Sequence, residues 1–400
     1  MKFPLSSYFK NIGPGIITAA LIFGPGSLTI NIKLGSSFGY SLLWVLVVSM
    51  IFMSIFTSMS ARIGLFSNTS LINRLKFELN RPIAIVVGIG IFLVTASFQA
   101  GNTIGSSVAF SEMFGLNVGY WIAVFTFIAT SLLFFKSFYK VLEKLMLGLV
   151  ILMLTSFILS IVMSAPDWSQ VIKGLIPSIP KGSEYLIITL TASSFSIVGA
   201  FYQSYLTREK GWSKESVKEC LNESQTGVII LGLLSTLVML CAAAVLNANQ
   251  INVSSASDLG KALEPLFGPF TSTAFMVGFF SASFSSMVGN ATIGGVILSD
   301  TFFSESSLSS TKVRGMIILV ILIGACVALI FGRLPLQLII FAQGITIMIV
   351  PLAAYIIILF SGFKRIEPDL RNATHVTIIG FIGLTILVGM SVYSINYLFF

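Results

Sequence analysis

The residues from which proteins build catalytic and metal-binding sites are scarce in this sequence. Its 400 residues include one histidine, three cysteines and 15 acidic residues, and 10% of all residues are charged. Soluble globular proteins carry roughly 25% charged residues, so the deficit excludes that class. The cysteines are widely spaced and form no CxxC pair, which predicts neither a disulfide framework nor a cysteine-ligated metal. They are Cys220, Cys241 and Cys326.

Acidic residues and histidine are also missing from the middle of the hydrophobic stretches. All 15 acidic residues fall in predicted loops or near predicted helix ends, and His375 begins the last stretch. An enzyme buried in a membrane needs a nucleophile with a base, or a cluster of metal ligands. We therefore predict that the protein is not an enzyme and that it has no cofactor.

Hydrophobic residues dominate what remains, at 56% of the chain and a mean hydropathy of +0.97. A helix of about 20 apolar residues crosses some 30 Å of hydrocarbon. Eleven such stretches predict an all-α polytopic membrane protein with about 11 transmembrane helices. They lie near residues 12–33, 41–62, 83–108, 118–136, 142–164, 184–206, 226–247, 267–299, 314–332, 335–361 and 374–399.

The basic residues predict the orientation, because cytoplasmic loops are enriched in lysine and arginine. With the N-terminus in the cytoplasm, 18 of the 23 basic residues are cytoplasmic, and the C-terminus is extracytoplasmic. The five on the other side are Lys33, Lys173, Lys181, Lys261 and Arg333. The net charge of +8 thus needs no nucleic acid to explain it. We expect a monomer in the lipid bilayer of a prokaryotic plasma membrane.

Two segments of the chain resemble each other. Residues 99–114 read QAGNTIGSSVAFSEMF and residues 287–303 read MVGNATIGGVILSDTFF. They share Gly-Asn, Thr-Ile-Gly and a serine-acid pair, and they lie in the third and eighth spans. The eighth span comes five spans after the third. Two spans whose order along the chain differs by an odd number cross the membrane in opposite directions, which is typical of an inverted repeat. Small residues at helix contacts explain the same pattern without a repeat.

The first span contains its own helix breaker, Gly24-Pro25-Gly26-Ser27. If the repeat is real, the sixth span should be broken too, and Gly199 followed by polar residues marks that position. Backbone groups freed by such breaks persist in a membrane only where they line an enclosed cavity. We predict one transmembrane domain over residues 1–400, with repeats at about 12–164 and 184–361 and a further helix at about 374–399. A simple kink is the alternative for the first break.

Residues 13–64, GPGIITAALIFGPGSLTINIKLGSSFGYSLLWVLVVSMIFMSIFTSMSARIG, closely resemble the first two helices of the NRAMP (natural resistance-associated macrophage protein) family of divalent-metal transporters. The likeness continues more weakly along most of the chain. It implies the leucine-transporter-type fold, in which two inverted five-helix repeats with broken helices 1 and 6 are followed by a terminal helix. Transport by alternating access around a central site follows from that fold, and a channel is the rival class.

The family's metal site is not conserved in this sequence. Relatives carry Asp and Asn at the first break, where this chain has Gly24 and Ser27. Their Met-Pro-His segment in the sixth helix corresponds to Ala200-Phe201-Tyr202. The acidic residues of their proton path in the third helix correspond to Gln99 and Asn102, and a tenth-helix glutamine is matched by Gln343. The usual metal ligands are therefore absent, and the ligands of any metal here are unknown.

An uncharged site limits the substrate. Dehydrating a divalent ion in a low-dielectric pocket costs on the order of tens of kcal/mol unless charge compensates. We predict that the protein is not a conventional proton-driven manganese or iron importer. A largely hydrated cation such as Mg²⁺ is one candidate substrate, since it gives up water reluctantly. The predicted binding residues are Gly24, Ser27, Asn31, Ala200, Tyr202, Gln203, Ser204 and Gln343.

Two alternatives stay open at this point. Amides at the N-terminal ends of the broken helices favour a small anion or a carboxylate-bearing solute, such as bicarbonate or an organic or amino acid. Ser285 and Ser286 in the eighth span are a possible coupling-ion site of the sodium type, although serine pairs also serve close packing. Asn102 and Asn290 are candidates either for substrate contact or for bridging helices.

Overall fold

The computed structural model describes residues 13–212, 214–251, 257–331, 336–362 and 372–399, and the regular structure in them is helical. Sixteen α-helices occur in these residues. They are α1 (Pro14–Ile22), α2 (Pro25–Phe38), α3 (Leu43–Phe66), α4 (Leu71–Glu78), α5 (Arg81–Phe114), α6 (Val118–Leu132), α7 (Phe138–Ser164), α8 (Trp168–Lys173), α9 (Glu184–Ser194), α10 (Ile197–Lys210), α11 (Val217–Ala242), α12 (Ser257–Phe267), α13 (Pro269–Phe303), α14 (Thr311–Phe331), α15 (Leu336–Gly362) and α16 (Thr374–Phe399).

The predicted all-α membrane architecture is confirmed. Seven described helical stretches are long and apolar enough to cross a membrane, and the bent pair α1 and α2 makes an eighth. Shorter apolar helices occupy Val118–Leu132 and Thr346–Ser361. Helix α13 is 35 residues long and mostly buried, which explains why it carries so many small and hydroxyl side chains. Ten of the eleven predicted spans overlap these apolar stretches, and the remaining one, predicted at 267–299, overlaps α13.

The first span is broken where the sequence predicts it. Helix α1 ends at Ile22, α2 begins at Pro25, and the two axes bend by 59°. Gly24 is extended and precedes Pro25, which has no N–H to donate and a fixed φ suited to a first helical turn. The local sequence therefore both ends one helix and starts the next.

The second break lies one turn earlier than predicted. Helix α9 ends at Ser194 and α10 begins at Ile197, so the interruption is at Phe195 and Ser196 and not at Gly199. The Ser196 side chain accepts a hydrogen bond from the Gly199 amide at 3.3 Å, which makes serine the N-cap of α10. A β-carbon on Gly199 would lie 2.7 Å from Cγ1 of Ile22. This glycine therefore permits close packing of the two breaks.

The two breaks lie inside the protein. Helix α1 packs against α7, α10, α11 and α13, while α5 packs along α13. These last two helices carry the repeated Gly-Asn segments. Because protein surrounds the interrupted backbone, its polar groups are kept away from lipid, as spanning structures require.

Candidate functional site at the helix breaks

The two breaks meet at a cavity of about 50 Å³, which has room for a few water molecules. Side chains and backbone from both broken spans and from α5, α13 and α15 form its wall. The lining residues are Leu21, Ile22, Gly24, Gly26, Ser27, Val94, Phe98, Asn102, Ala192, Ser193, Ser196, Ile197, Val198, Gly199, Asn290, Ile293, Thr346 and Val350.

Backbone ends of opposite polarity face this cavity. Leu21 and Ile22 end α1, where the last carbonyls of a helix lack partners within it. Gly26 lies in the first turn of α2 and Ile197 begins α10, and the first amides of a helix lack such partners. The carbonyl end carries partial negative charge and the amide ends partial positive charge. The cavity can therefore contact a cation through carbonyls or an anion through amides.

Two serine hydroxyls join the breaks. Ser27 donates a hydrogen bond to the Ile22 carbonyl at 3.0 Å, across the first interruption. Ser193, near the end of α9, donates to Oγ of Ser27 at 2.6 Å. Ser27 was predicted for the site and Ser193 was not, although the hydroxyl-rich TASSFS segment that contains the second break was a usable signal.

The repeated Gly-Asn segments place an asparagine each at the cavity. The Asn102 amide nitrogen donates to the Ser286 carbonyl at 3.2 Å. The Asn290 amide nitrogen donates to the Leu21 carbonyl at 3.4 Å. Each side chain therefore both lines the cavity and bridges two helices. Substrate contact and helix bridging, the two alternatives predicted for these asparagines, are thus compatible with each other.

Gly24 has no space for a side chain. A β-carbon at this position would lie 2.5 Å from Oγ of Ser286, 2.8 Å from its Cβ and 3.2 Å from Oδ1 of Asn102. Contacts under 3.0 Å require a neighbour to shift, and Ser286 is buried in α13. The space where a side-chain ligand at residue 24 would begin is thus filled from the eighth span.

Ser285 and Ser286 bind the carbonyl end of α1. Ser285 donates to the Ala20 carbonyl at 2.8 Å, and Ser286 donates to the Leu21 carbonyl at 3.0 Å. Both side chains are fully buried. These bonds satisfy carbonyls that the break has freed, and they bring four oxygen atoms together beside the cavity.

Several predicted binding residues are buried but lie outside the cavity wall. Asn31 donates to the Ser27 carbonyl at 2.8 Å, one turn further along α2. Gln203 accepts from the Thr18 hydroxyl at 2.5 Å and donates to Ser224 at 2.9 Å. The other residues of this group, all on α10, are Ala200, Tyr202 and Ser204.

In the first turn of α10, Ile197, Val198 and Gly199 line the cavity, and Ala200 does not. The binding roles of the residues outside the wall stay predictions. Gln343 falls on α15, but its side chain lies outside the described part of the chain. Gln99 is buried in α5 and donates to the Met287 carbonyl at 2.8 Å.

Two of the acidic residues near helix ends are buried. Glu223 lies within α11 and is 7% exposed, and Asp300 in the last turn of α13 is fully buried. The Asp300 carboxylate accepts from the Tyr205 hydroxyl at 2.7 Å and from the Asn73 amide at 2.9 Å. Neither acid belongs to the cavity wall, whose described residues carry no charge. Among the described residues no group of three or more His, Cys, Asp or Glu could hold a metal.

The two interrupted helices that meet inside the helical bundle define the fold class of the protein. It is the leucine-transporter-type fold of membrane transporters. A mutant of the manganese transporter of Eremococcus coleocola is similar over 99% of this chain and 89% of its own, with 20% identity and a TM-score of 0.79. A transporter of the nucleobase-cation-symport-1 family, bound to bromovinylhydantoin, aligns over 96% of this chain and 90% of its own, with 14% identity and a TM-score of 0.61.

The sequence then specifies the family within that class. The family described as natural resistance-associated macrophage protein-like (Nramp) matches residues 15–396, so the chain belongs to it. The divalent metal cation transporter MntH of Yersinia pestis (strain Pestoides F) is 25% identical over 96% of this chain and 93% of its own. MntH of Deinococcus radiodurans is 25% identical over 96% and 88%.

Proposed function

We propose that this protein transports a divalent metal cation across the membrane by alternating access. The support is its family, whose curated relatives are named divalent metal cation transporters, and the cavity at two helix breaks. In transporters with inverted repeats, the substrate site lies at such interrupted helices near the bilayer midplane. Saturation of uptake at low ion concentration would separate this carrier from a channel.

The cation that suits this site is a hard and partly hydrated one such as Mg²⁺. One observation carries this choice: the described cavity wall offers carbonyl, hydroxyl and amide oxygens, with neither a carboxylate nor a sulfur atom. Mg²⁺ prefers oxygen ligands and keeps several of its waters, whereas transition metals bind better where imidazole, carboxylate or thioether ligands are present. Ser27, Asn102 and Asn290 are the side chains we expect to contact the ion or its waters.

A small anion or a carboxylate-bearing solute is the second candidate. The amide ends of α2 and α10 both face the cavity, and helix N-termini attract negative charge. The carbonyl end of α1 opposes this attraction, because it presents negative partial charge to the same space. The family and the carbonyls together favour the cation.

Uptake into proteoliposomes tests the substrate. We expect saturable Mg²⁺ uptake that exceeds Mn²⁺ uptake at equal concentration, with bicarbonate and acetate not transported. Ser27→Ala should raise the KM for Mg²⁺, while the exposed Ser37→Ala on the same helix should leave it unchanged. Uptake of an anion alone, or high-affinity Mn²⁺ uptake that Ser27→Ala abolishes, would overturn the proposal for Mg²⁺.

Ser285 and Ser286 are our proposed site for a coupling ion such as Na⁺. Their hydroxyls and the carbonyls of Ala20 and Leu21 converge, and a monovalent cation could bind between these four oxygens once the hydroxyl O–H groups rotate away from the carbonyls. Uptake should then increase in a Na⁺ gradient, and Ser285→Ala should remove the increase. Ser281→Ala is the control, since that hydroxyl donates within α13. Equal Na⁺ stimulation in Ser285→Ala would refute the site.

A further inference from the structure

The buried acid Glu223 binds the beginning of α1. Its carboxylate accepts hydrogen bonds from the amides of Gly13 at 2.9 Å, Gly15 at 2.8 Å to each oxygen, and Ile16 at 3.4 Å. The intervening residue, Pro14, has no amide hydrogen. The first amides of a helix have no partner within it, and the positive end of the helix dipole favours a carboxylate. One side chain of α11 therefore satisfies the entire N-terminal end of α1.

Close backbone packing holds the two helices together at the same place. A β-carbon on Gly15 would overlap the Glu223 carbonyl, and one on Gly227 would overlap the Gly15 carbonyl. One turn further along α1, Thr18 donates to Gln203, which in turn donates to Ser224 on α11. The contact is thus continuous along one side of α1.

An ion pair lies beside this contact. Lys210 at the end of α10 binds Glu143 on α7 at 2.5 Å, and a β-carbon on Gly13 would lie 3.1 Å from the Lys210 ammonium nitrogen. The hydrogen bonds to the Glu223 carboxylate therefore come from backbone amides, while the nearby Lys210 ammonium pairs with Glu143. Among the groups described here, Glu223 is the acid whose hydrogen bonds depend on α1 staying in place.

Helix α1 is short enough to move as one body. Its nine residues span about 14 Å at 1.5 Å per residue. Glu223 holds one end of this body, and the other end presents Leu21 and Ile22 to the cavity. The break at Gly24 separates α1 from α2, so a displacement at Gly13 is transmitted to the cavity wall.

We propose that Glu223 is a positioning residue that holds α1 in the place where Leu21 and Ile22 form part of the cavity wall, and that α1 must leave this carboxylate for the cavity to open further on that side. The inference rests on the proposed alternating access for its role in transport. The docking itself does not depend on which ion is carried.

Thiol labelling tests the docking without any substrate. Ile17, 1% exposed on α1, is replaced by cysteine in a chain whose three native cysteines are changed to serine or alanine. Glu223→Gln keeps the size of the side chain, but it removes the charge and places a carboxamide NH2 group, which is itself a donor, against the backbone amide donors. A membrane-impermeant maleimide is added from the side on which α1 begins. We expect it to label Ile17→Cys about tenfold faster with Glu223→Gln than with Glu223 intact. This factor corresponds to the loss of a hydrogen bond to a charged group.

Glu219→Gln, an exposed acid one turn earlier on α11, is the matched control and should label at the parent rate. Equal labelling rates in Glu223→Gln and Glu219→Gln would overturn the proposal, whatever the substrate is. In uptake assays Glu223→Gln should raise KM by more than it lowers kcat, because α1 carries part of the cavity wall. A Glu223→Gln protein with parental labelling, KM and kcat would show that the acid only caps the helix.

Discussion

Replacing Gly24 by alanine isolates the steric relationship between the first break and α13. The extended backbone at Gly24, with φ −107° and ψ −172°, is open to alanine, so the new β-carbon is the whole perturbation. It would lie 2.5 Å from Oγ and 2.8 Å from Cβ of Ser286. Overpacking of this kind destabilises a well-packed interior by about 1–3 kcal/mol. Gly24→Ala should therefore lower the free energy of unfolding by that amount.

Removing the opposing side chain should reverse much of the effect. Ser286→Gly alone loses the hydrogen bond to Leu21, worth about 1 kcal/mol, and adds a helical glycine at a further 0.5–1 kcal/mol or so. In the double variant the new methyl group occupies the vacated space. The double variant should then be more stable than the sum of the single effects by about 1–3 kcal/mol, whereas independent sites add within about 0.5 kcal/mol. Unfolding in mixed detergent micelles measures all four proteins, and additive effects would refute the reasoning.

Two further predictions concern other parts of the chain. Gly15→Ala should destabilise the protein by about 1–3 kcal/mol because its β-carbon meets backbone, while Gly148→Ala, which meets nothing within 4 Å, should stabilise it by about 0.5–1 kcal/mol in the same unfolding assay. Asp167 caps α8, and hydrogen bonds from Ser169 and Gln170 hold its pKa below the ordinary value. This lowered pKa in the folded protein stabilises the fold. The stabilisation should be complete at a pH above the ordinary pKa of an unfolded aspartate and should be lost as the pH falls through the lowered pKa. Asp167→Asn should remove this pH dependence from acid unfolding curves.

The positions of the spans could be predicted because the bilayer imposes a length and a composition on each helix. The first break could be predicted for a similar reason, since Gly-Pro-Gly acts on the backbone locally. The second break was misplaced by one turn. Ser196 begins α10 as an N-cap, while Gly199 is required by the approach of Ile22, which is a distant part of the sequence. Local pattern alone does not separate these two uses of a small residue.

The environment of Glu223 had no local signal at all. Its partners are backbone amides at Gly13, Gly15 and Ile16, more than 200 positions away. Nearly every residue has a backbone amide, so the residue types do not show which amides bind the carboxylate. The filling of the Gly24 position by Ser286 is equally non-local. The sequence shows that an acid is missing at the break, but only the packing of α13 shows that the space is occupied.

The most direct measurement is an experimental structure of the purified protein in saturating Mg²⁺, at a resolution that separates ion from ligands. The account predicts an ion or a hydrated ion between Ser27, Asn102 and the carbonyl end of α1, with oxygen atoms of neutral groups and water as its ligands. An ion coordinated by a carboxylate, by a sulfur atom, or at a position away from the two breaks would contradict it.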